Sequence, residues 1–240
     1  MKGFAALLET LAFTTQRNAK LARLAHYPPA TPDPARGWAL AALTGGLKLP
    51  AVTPSLLRRL AEDRVDPELF RLSYDFVGDL AETIALLWPA HGPAADLPLP
   101  QVVDALRSPP QARLPALIAG WLDGLPASER LALVKLATGG LRVGVSARLA
   151  QRAVAMLGAL DPDAIAEHWH GMQPPYTALF AWAEGGPAPA TTDPTPFRPL
   201  MRAPPVEDAP LPPLAPADFA AEWKWDGIHV QAVAAAGQAR

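Results

Sequence analysis

The residues most capable of chemistry form a short run near the C-terminal end, Glu222-Trp223-Lys224-Trp225-Asp226-Gly227. Lys224 stands between two tryptophans and within two positions of two carboxylates. Apolar rings favour a neutral amine by desolvation, whereas nearby carboxylates favour the ammonium ion. A neutral lysine amine can attack an electrophilic phosphorus or carbonyl carbon. The alternative is an exposed hairpin in which Lys224 forms an ordinary cross-strand ion pair.

A second run, Thr138 to Ser146, joins two helical stretches and is rich in glycine. Its glycines are Gly139, Gly140 and Gly144. Glycine lets backbone N–H groups approach an anion closely, and Ser146 can cap the next helix, whose positive dipole end then faces the same anion. Arg142 adds a charged fork, and Arg148 and Arg152 lie one turn apart on that helix. The pattern predicts a clamp for phosphate groups, and the alternative is a helix–helix turn with a glycine cap.

Two further polar clusters lie within helical stretches. Thr14 to Lys20, together with Arg23, is basic and lies at a helix boundary. It is either a solvated helix end or a further anion contact. His168 and His170 flank Trp169, but side chains at i and i+2 do not share a helix face. We therefore expect no metal site there.

Helices account for most of the chain that positions these residues. From Lys2 to about Trp182 the apolar residues recur at helical spacing, and period-two alternation is nearly absent. This pattern predicts an all-α domain of eight or more short helices. Asp66-Pro67-Glu68 is typical of a helix start, because proline is favoured at the first helical position. An apolar stripe predicted to face the core follows, ended by Pro89: Phe76, Leu80, Ile84 and Leu87.

The pattern changes after the helices. Residues 185–216 hold 11 of the 29 prolines, which predicts a linker or an extended segment. Phe219 to Ala234 then has the pattern of strand, Asp-Gly turn and strand. We therefore divide the chain into a helical domain over residues 1–186, a linker over 187–216 and the start of a β-containing domain over 217–240.

Charge and composition limit the function classes. Net charge alternates along the chain, at +6 for residues 1–60, −6 for 61–110, +4 for 111–160 and −6 for 161–240. The basic segments would attract a polyanion although the whole chain carries −2. The absence of cysteine excludes disulfide scaffolds, zinc fingers and thiolate chemistry, and fits a reducing cytoplasm. No uncharged apolar run is long enough to span a membrane, and we expect a cytoplasmic monomer.

The run from Glu222 to Gly227 matches the K-x-D-G nucleotidyl-transfer motif of ATP-dependent DNA ligases, including the glutamate two positions before the lysine. A helical domain and a proline-rich linker precede it, as in many DNA ligases. Three helical stretches also resemble the DNA-binding domain of a bacterial subgroup of these ligases. They are Gly37 to Gly45, Arg71 to Thr83 and Leu136 to Leu149. The resemblance thus extends over nearly the whole chain.

The resemblance implies a role for each matching residue. Lys224 would attack the α-phosphorus of ATP, release pyrophosphate and become a lysine–AMP phosphoramidate, with Mg²⁺ offsetting the phosphate charge. Glu222 would contact adenine, Asp226 would orient the lysine, metal or ribose, and Gly227 would permit the tight turn. The AMP would then pass to a 5′-phosphate at a nick in duplex DNA, which implies work in repair, replication or recombination.

The same resemblance implies that the glycine-rich turn touches the duplex backbone. The residues carried over to that contact are Gly139, Gly140, Leu141, Arg142, Gly144, Ser146 and Arg148. The chain departs from the family pattern at His229, where arginine is usual. An imidazole ring that is largely neutral at pH 7 replaces a permanently charged guanidinium group.

The chain ends 16 residues after Lys224, before the later motifs of the family. We therefore expect a fragment that binds DNA and does not seal nicks. The alternatives are a stand-alone duplex-binding module and an RNA ligase or capping-type nucleotidyltransferase that shares K-x-D-G. The large helical domain in front of the motif argues against the RNA enzymes.

The first prediction concerns Lys224 in a chain extended by the later motifs of a related ligase. Lys224→Ala should abolish lysine–AMP formation, and Lys224→Arg should fail too, because guanidinium stays protonated. Sealing of a nick that already carries 5′-adenylate should partly survive. His229→Arg should favour adenylylation by ~1.5–3 kcal/mol at most. Mass spectrometry of the AMP adduct measures both effects, and an adduct on Lys224→Ala would exclude this nucleophile.

Overall fold

The computed structural model describes residues 1–89, 91–108, 111–170 and 172–190, and at the C-terminal end residues 217, 223, 227, 230–235 and 237–239. The chain divides into two compact units, Met1–Pro189 and Ala190–Arg240. The described part of the first unit is mainly helical, which confirms the predicted class. Its twelve described α-helices are α1 Lys2–Ala12, α2 Arg17–His26, α3 Ala35–Leu43, α4 Pro54–Glu62, α5 Pro67–Val77, α6 Leu80–Leu87, α7 Leu99–Arg107, α8 Leu114–Gly124, α9 Ala127–Thr138, α10 Ala147–Ala155, α11 Pro162–His170 and α12 Thr177–Ala183.

In the second unit the described residues include two short strands. Strand β1 (Ala234–Ala235) pairs antiparallel with β2 (Gln238–Ala239), so that Ala234 lies opposite Ala239. Most of the hairpin predicted over Phe219 to Ala234, and the linker beyond residue 190, lie outside the described residues. The ligase-type character of the helical domain stays a prediction.

Four helices of the first unit begin at a residue whose side chain caps the helix. In each of four caps, a side-chain oxygen accepts a hydrogen bond from the backbone N–H three residues later, at 2.9–3.2 Å. The four capping residues are Thr53, Asp66, Asp79 and Ser146. Pro67 occupies the first position of α5, as the sequence predicts.

The predicted core stripe from Phe76 to Leu87 is wrong at its first residue. Helix α5 ends at Val77 because Gly78 adopts the left-handed conformation, with φ of 73°, and α6 begins again at Leu80. This break changes the direction of the chain, so Ile84 is fully buried whereas Phe76 is 92% exposed. The 3.6-residue period does not continue through a left-handed glycine.

Helix α9 is buried around most of its circumference and packs against α1 and α6. Its buried residues are Arg130, Ala132, Leu133, Val134, Leu136 and Ala137. A helix buried on so many sides is stable only inside a core. The other main contacts are made by α10, which packs on α2 and α11.

Two buried arginines connect helix ends. Arg130 donates from Nε to the carbonyl of Leu122 at 2.7 Å and from Nη1 to the carbonyl of Trp88 at 2.6 Å. These carbonyls lie at the ends of α8 and α6, where no intrahelical donor remains. Burial lowers the pKa of the Arg130 guanidinium, although the nearby Asp123 opposes this shift.

Arg36 joins the start of α3 to the end of α12. It donates to Asp33 at 2.7 Å and to Glu184, and its guanidinium lies 4.5 Å from the centre of the Phe180 ring. The hydrogen bond from Arg36 lowers the pKa of Glu184. Helix α12 is thereby attached to a helix more than a hundred residues earlier in the chain.

Asp79 caps α6 and also binds Lys135 of α9, with 2.9 Å between Oδ2 and Nζ. Burial alone would raise the pKa of Asp79. The hydrogen bonds from Lys135 and from the backbone N–H of Glu82 outweigh burial, so the pKa is lowered. The carboxylate therefore stabilises both the start of α6 and its packing on α9.

Asp79→Asn should lower the free energy of unfolding by about 0.5–1 kcal/mol at pH 7, because the amide keeps the cap and loses the ion pair. A lowered folded-state pKa contributes stability that is present above the unfolded pKa of 3.8 and is lost as pH falls through the folded pKa. Urea unfolding should therefore show that the difference in free energy of unfolding between wild type and Asp79→Asn shrinks from pH 7 to pH 3. Asp75→Asn, at an exposed ion pair, is the control, and an undiminished Asp79→Asn difference at pH 3 would contradict the assignment.

Candidate nucleic-acid interface

The glycine-rich loop begins where α9 ends. Gly139 has φ of 70°, and the N–H of Gly140 donates to the carbonyl of Lys135 at 2.9 Å. An added Cβ on Gly139 would meet nothing within 4 Å, so the backbone conformation rather than space requires glycine. The glycine cap of the alternative interpretation is therefore present at the start of the loop.

The rest of the loop leads directly into α10. The N–H of Arg142 donates to the carbonyl of Gly140 at 2.9 Å, Val143 is buried, and Gly144 has φ of 68°. The hydroxyl of Ser146 accepts from the N–H of Leu149 at 3.2 Å, which confirms the predicted cap of α10. The loop is thus held at both ends by helices and in the middle by a buried side chain.

Several donors of this loop remain available. The backbone N–H groups of Gly144, Val145, Ser146, Ala147 and Arg148 donate to no backbone carbonyl of the described residues. The last two belong to the first turn of α10, which has no intrahelical acceptors for them. The surface at this point therefore presents N–H groups together with the positive end of the α10 dipole.

Lys20 of α2 reaches across to the loop. Its Nζ donates to the carbonyl of Val143 at 2.5 Å. An added Cβ on Gly144 would lie 2.6 Å from that Nζ. The Thr14-to-Lys20 segment and the glycine-rich loop, separate clusters in the sequence, are therefore neighbours. No local pattern predicts a contact between residues 123 positions apart.

The packing of α10 on α2 places further cations on the two helices that flank the loop. Arg152 of α10 and Leu21 of α2 line one small hollow, so Arg152 lies beside the helix that carries Lys20. Arg17 precedes Lys20 by one turn, and Arg148 precedes Arg152 by one turn. We call Arg17, Lys20, Arg142, Arg148 and Arg152 the basic cluster.

The basic cluster is open to solvent and uncompensated. Its four arginines are exposed and Lys20 is half-buried. None of the five forms an ion pair within the described part of the chain. By contrast, Leu141 is half-buried and packs on the core, so its part in the predicted site is to anchor the loop.

The predicted nucleotidyl-transfer residues lie mostly beyond the described residues. Lys224, Glu222, Asp226 and His229 lie outside them, and their roles stay predictions. Gly227 lies in an exposed bend, and the ring of Trp223 is 84% exposed. Trp223 therefore does not form a buried apolar wall.

The described ranges contain no group of three or more histidine, cysteine, aspartate or glutamate residues that could hold a metal ion. His168 instead packs edge-on against Trp182, with 4.8 Å between ring centres. No helix in this part of the chain combines the length and apolar character needed to cross a membrane.

Comparison with protein-family models and with curated proteins gave no match to this chain.

Lys20→Met should loosen the loop, because the charged donor to the Val143 carbonyl is lost while most of the side-chain volume is kept. Loss of a contact that stabilises the closed loop by about 1 kcal/mol should make amide exchange at Arg142 roughly fivefold faster. Hydrogen exchange followed by NMR measures this rate. Arg23→Met, which removes an exposed cation from the same helix, is the control. Equal exchange rates in wild type and Lys20→Met would show that the contact does not hold the loop.

Proposed function

We propose that the helical unit is the DNA-binding domain of an ATP-dependent DNA ligase and that it holds duplex DNA by the phosphate backbone. The observation that carries this proposal is the glycine-rich loop with the basic cluster around it. The loop and the start of α10 carry backbone N–H groups that donate to no backbone carbonyl of the described residues, a helix N-terminus and cations without ion pairs. Each of these groups favours a phosphate oxygen.

The chemistry of this surface favours binding without base recognition. Base readout needs side chains that enter a groove and match donor and acceptor patterns. The loop between Gly139 and Ser146 offers backbone groups, one arginine and small side chains, all suited to the repeating backbone. Most of the binding free energy would then come from counterion release and would fall steeply with salt.

The resemblance in the second unit supports the enzymatic half of the proposal. Lys224 is the proposed nucleophile toward ATP, and Glu222, Asp226, Gly227 and His229 are its proposed neighbours at the nucleotide. Mg²⁺ would offset the phosphate charge during transfer. The substrate would be a nick in duplex DNA, held in place by the helical unit.

A stand-alone duplex-binding module is the second candidate. It is favoured by the position of the basic cluster, which lies wholly within Met1–Pro189 and needs no residue of the second unit. Transfer of radiolabelled AMP from ATP to protein, in a chain extended by the later ligase motifs, separates the candidates. Transfer that depends on Lys224 supports the ligase, and its absence supports the module.

Arg142→Ala should weaken binding of the 240-residue chain to duplex DNA equally on unrelated sequences. Removing one phosphate contact should reduce the slope of log K against log salt by about 0.9. Fluorescence anisotropy titrations at several salt concentrations measure both quantities. Arg71→Ala is the matched control, because Arg71 is exposed but already paired with Glu68 and Asp75. An unchanged affinity and slope for Arg142→Ala would remove the loop from the proposed DNA contact.

A further inference from the structure

Helix α5 carries an apolar strip that faces solvent rather than the core. Leu69, Leu72 and Phe76 follow i, i+3, i+7 spacing, and Leu72 and Phe76 are 52% and 92% exposed. The adjoining Val77 is also exposed. In an isolated domain such a strip would be expected to turn inward. It is outside here because Phe70, on another side of α5, provides the contact with the core.

This strip continues across α6 to α1. A hollow of about 320 Å³ between α5 and α6 is lined by Leu72, Phe76, Val77 and Leu86. Leu86 also lines a second hollow of about 520 Å³, which extends to the exposed ring of Phe13 on the far side. We call Phe13, Leu69, Leu72, Phe76, Val77 and Leu86 the apolar face.

The surroundings of the apolar face are acidic. Six carboxylates and three cations lie on α5 and α6 or at their starts, form ion pairs with residues there or line the larger hollow, and their charges sum to −3. The carboxylates belong to Glu9, Asp66, Glu68, Asp75, Asp79 and Glu82, and the cations to Arg71, Lys135 and Arg142. Arg71 and Lys135 are already engaged by four of these acids, at distances from 2.7 to 3.5 Å.

This charge disfavours two of the possible occupants. A second copy that docked symmetrically would bring the same acids against each other, because an isologous interface pairs a surface with itself. Duplex DNA that lay across the whole face would bring phosphates to the same carboxylates, and among the described cations there only Arg142, at the edge of the face, could receive a phosphate without an acidic partner. A cationic partner with apolar anchors is complementary in both respects.

We propose that the apolar face docks an amphipathic helix of a partner protein, with apolar side chains spaced over about two turns and lysine or arginine around them. A groove between two helices suits a helix better than an extended strand, which needs a sheet edge. Phe76 and Leu86 are the anchors at the centre, with Phe13 at one end. The proposal is independent of DNA binding and of the ligase assignment.

The probe is a fluorescein-labelled peptide of about 15 residues with leucines at helical spacing and lysines elsewhere. Its counterpart carries glutamates in place of the lysines. Anisotropy titration against the 240-residue chain should give a Kd below about 100 μM for the lysine peptide and no binding for the glutamate peptide. Absence of binding by the lysine peptide, or equal binding of both peptides, would overturn the proposal.

Variants separate docking on this face from general attraction to an acidic surface. Phe76→Ser combined with Leu86→Ser should raise the Kd of the lysine peptide roughly tenfold or more. Met156→Ser, at an exposed apolar residue outside the apolar face, should leave its binding unchanged. All three positions are exposed, so thermal unfolding should be nearly unaffected. Equal binding by the double variant would overturn the proposal.

Two further measurements test the two disfavoured occupants. Light scattering should show that the wild type and the double variant are both monomers. A wild-type dimer that becomes a monomer in the double variant would assign the face to a second copy and overturn the proposal. Duplex affinity should be unchanged in the double variant. A loss equal to that of Arg142→Ala would assign the face to DNA and overturn the proposal.

Discussion

Helix α9 is the element on which the arrangement of the helical unit depends. It is buried around most of its circumference, so it is stable only while α1 and α6 cover it. Its two cationic side chains extend this dependence to the neighbouring elements. Arg130 satisfies carbonyls at the ends of α6 and α8, and Lys135 binds the residue that caps α6. The twelve described helices are at most 12 residues long, and helices of that length are marginal alone.

The fixed position of α9 also determines where the glycine-rich loop lies. The loop leaves α9 at Gly139 and enters α10 at Ser146, and Lys20 holds its middle by the Val143 carbonyl. Three separate helices thus define the place of one exposed arginine, Arg142. Such support restricts the loop in advance of any ligand, and a contact made by a restricted loop loses less entropy on binding.

The surface of the helical unit has two regions that differ in whether their cations form ion pairs. The basic cluster forms no ion pair among the described residues, whereas Arg71 and Lys135 beside the apolar face are engaged by carboxylates. Arg142 borders both regions, since it lines the larger hollow as well as the glycine-rich loop. A partner on the apolar face would therefore lie next to the proposed DNA contact. Simultaneous binding of a polyanion and a cationic helix is electrostatically compatible with this division.

Local features were predictable from the sequence because they depend on residues within about one helical turn. The helical class, Pro67 at a helix start, Ser146 as a cap and the glycines around α9 all belong to this group. The K-x-D-G chemistry of Lys224 likewise rests on residue type and spacing, and stays a prediction. Tertiary structure alone decided the exposure of Phe76, the burial of Arg130 and the contact between Lys20 and Val143. The direction of the chain after Gly78, and the meeting of segments more than a hundred residues apart, depend on how all the helices share one core, which no local pattern encodes.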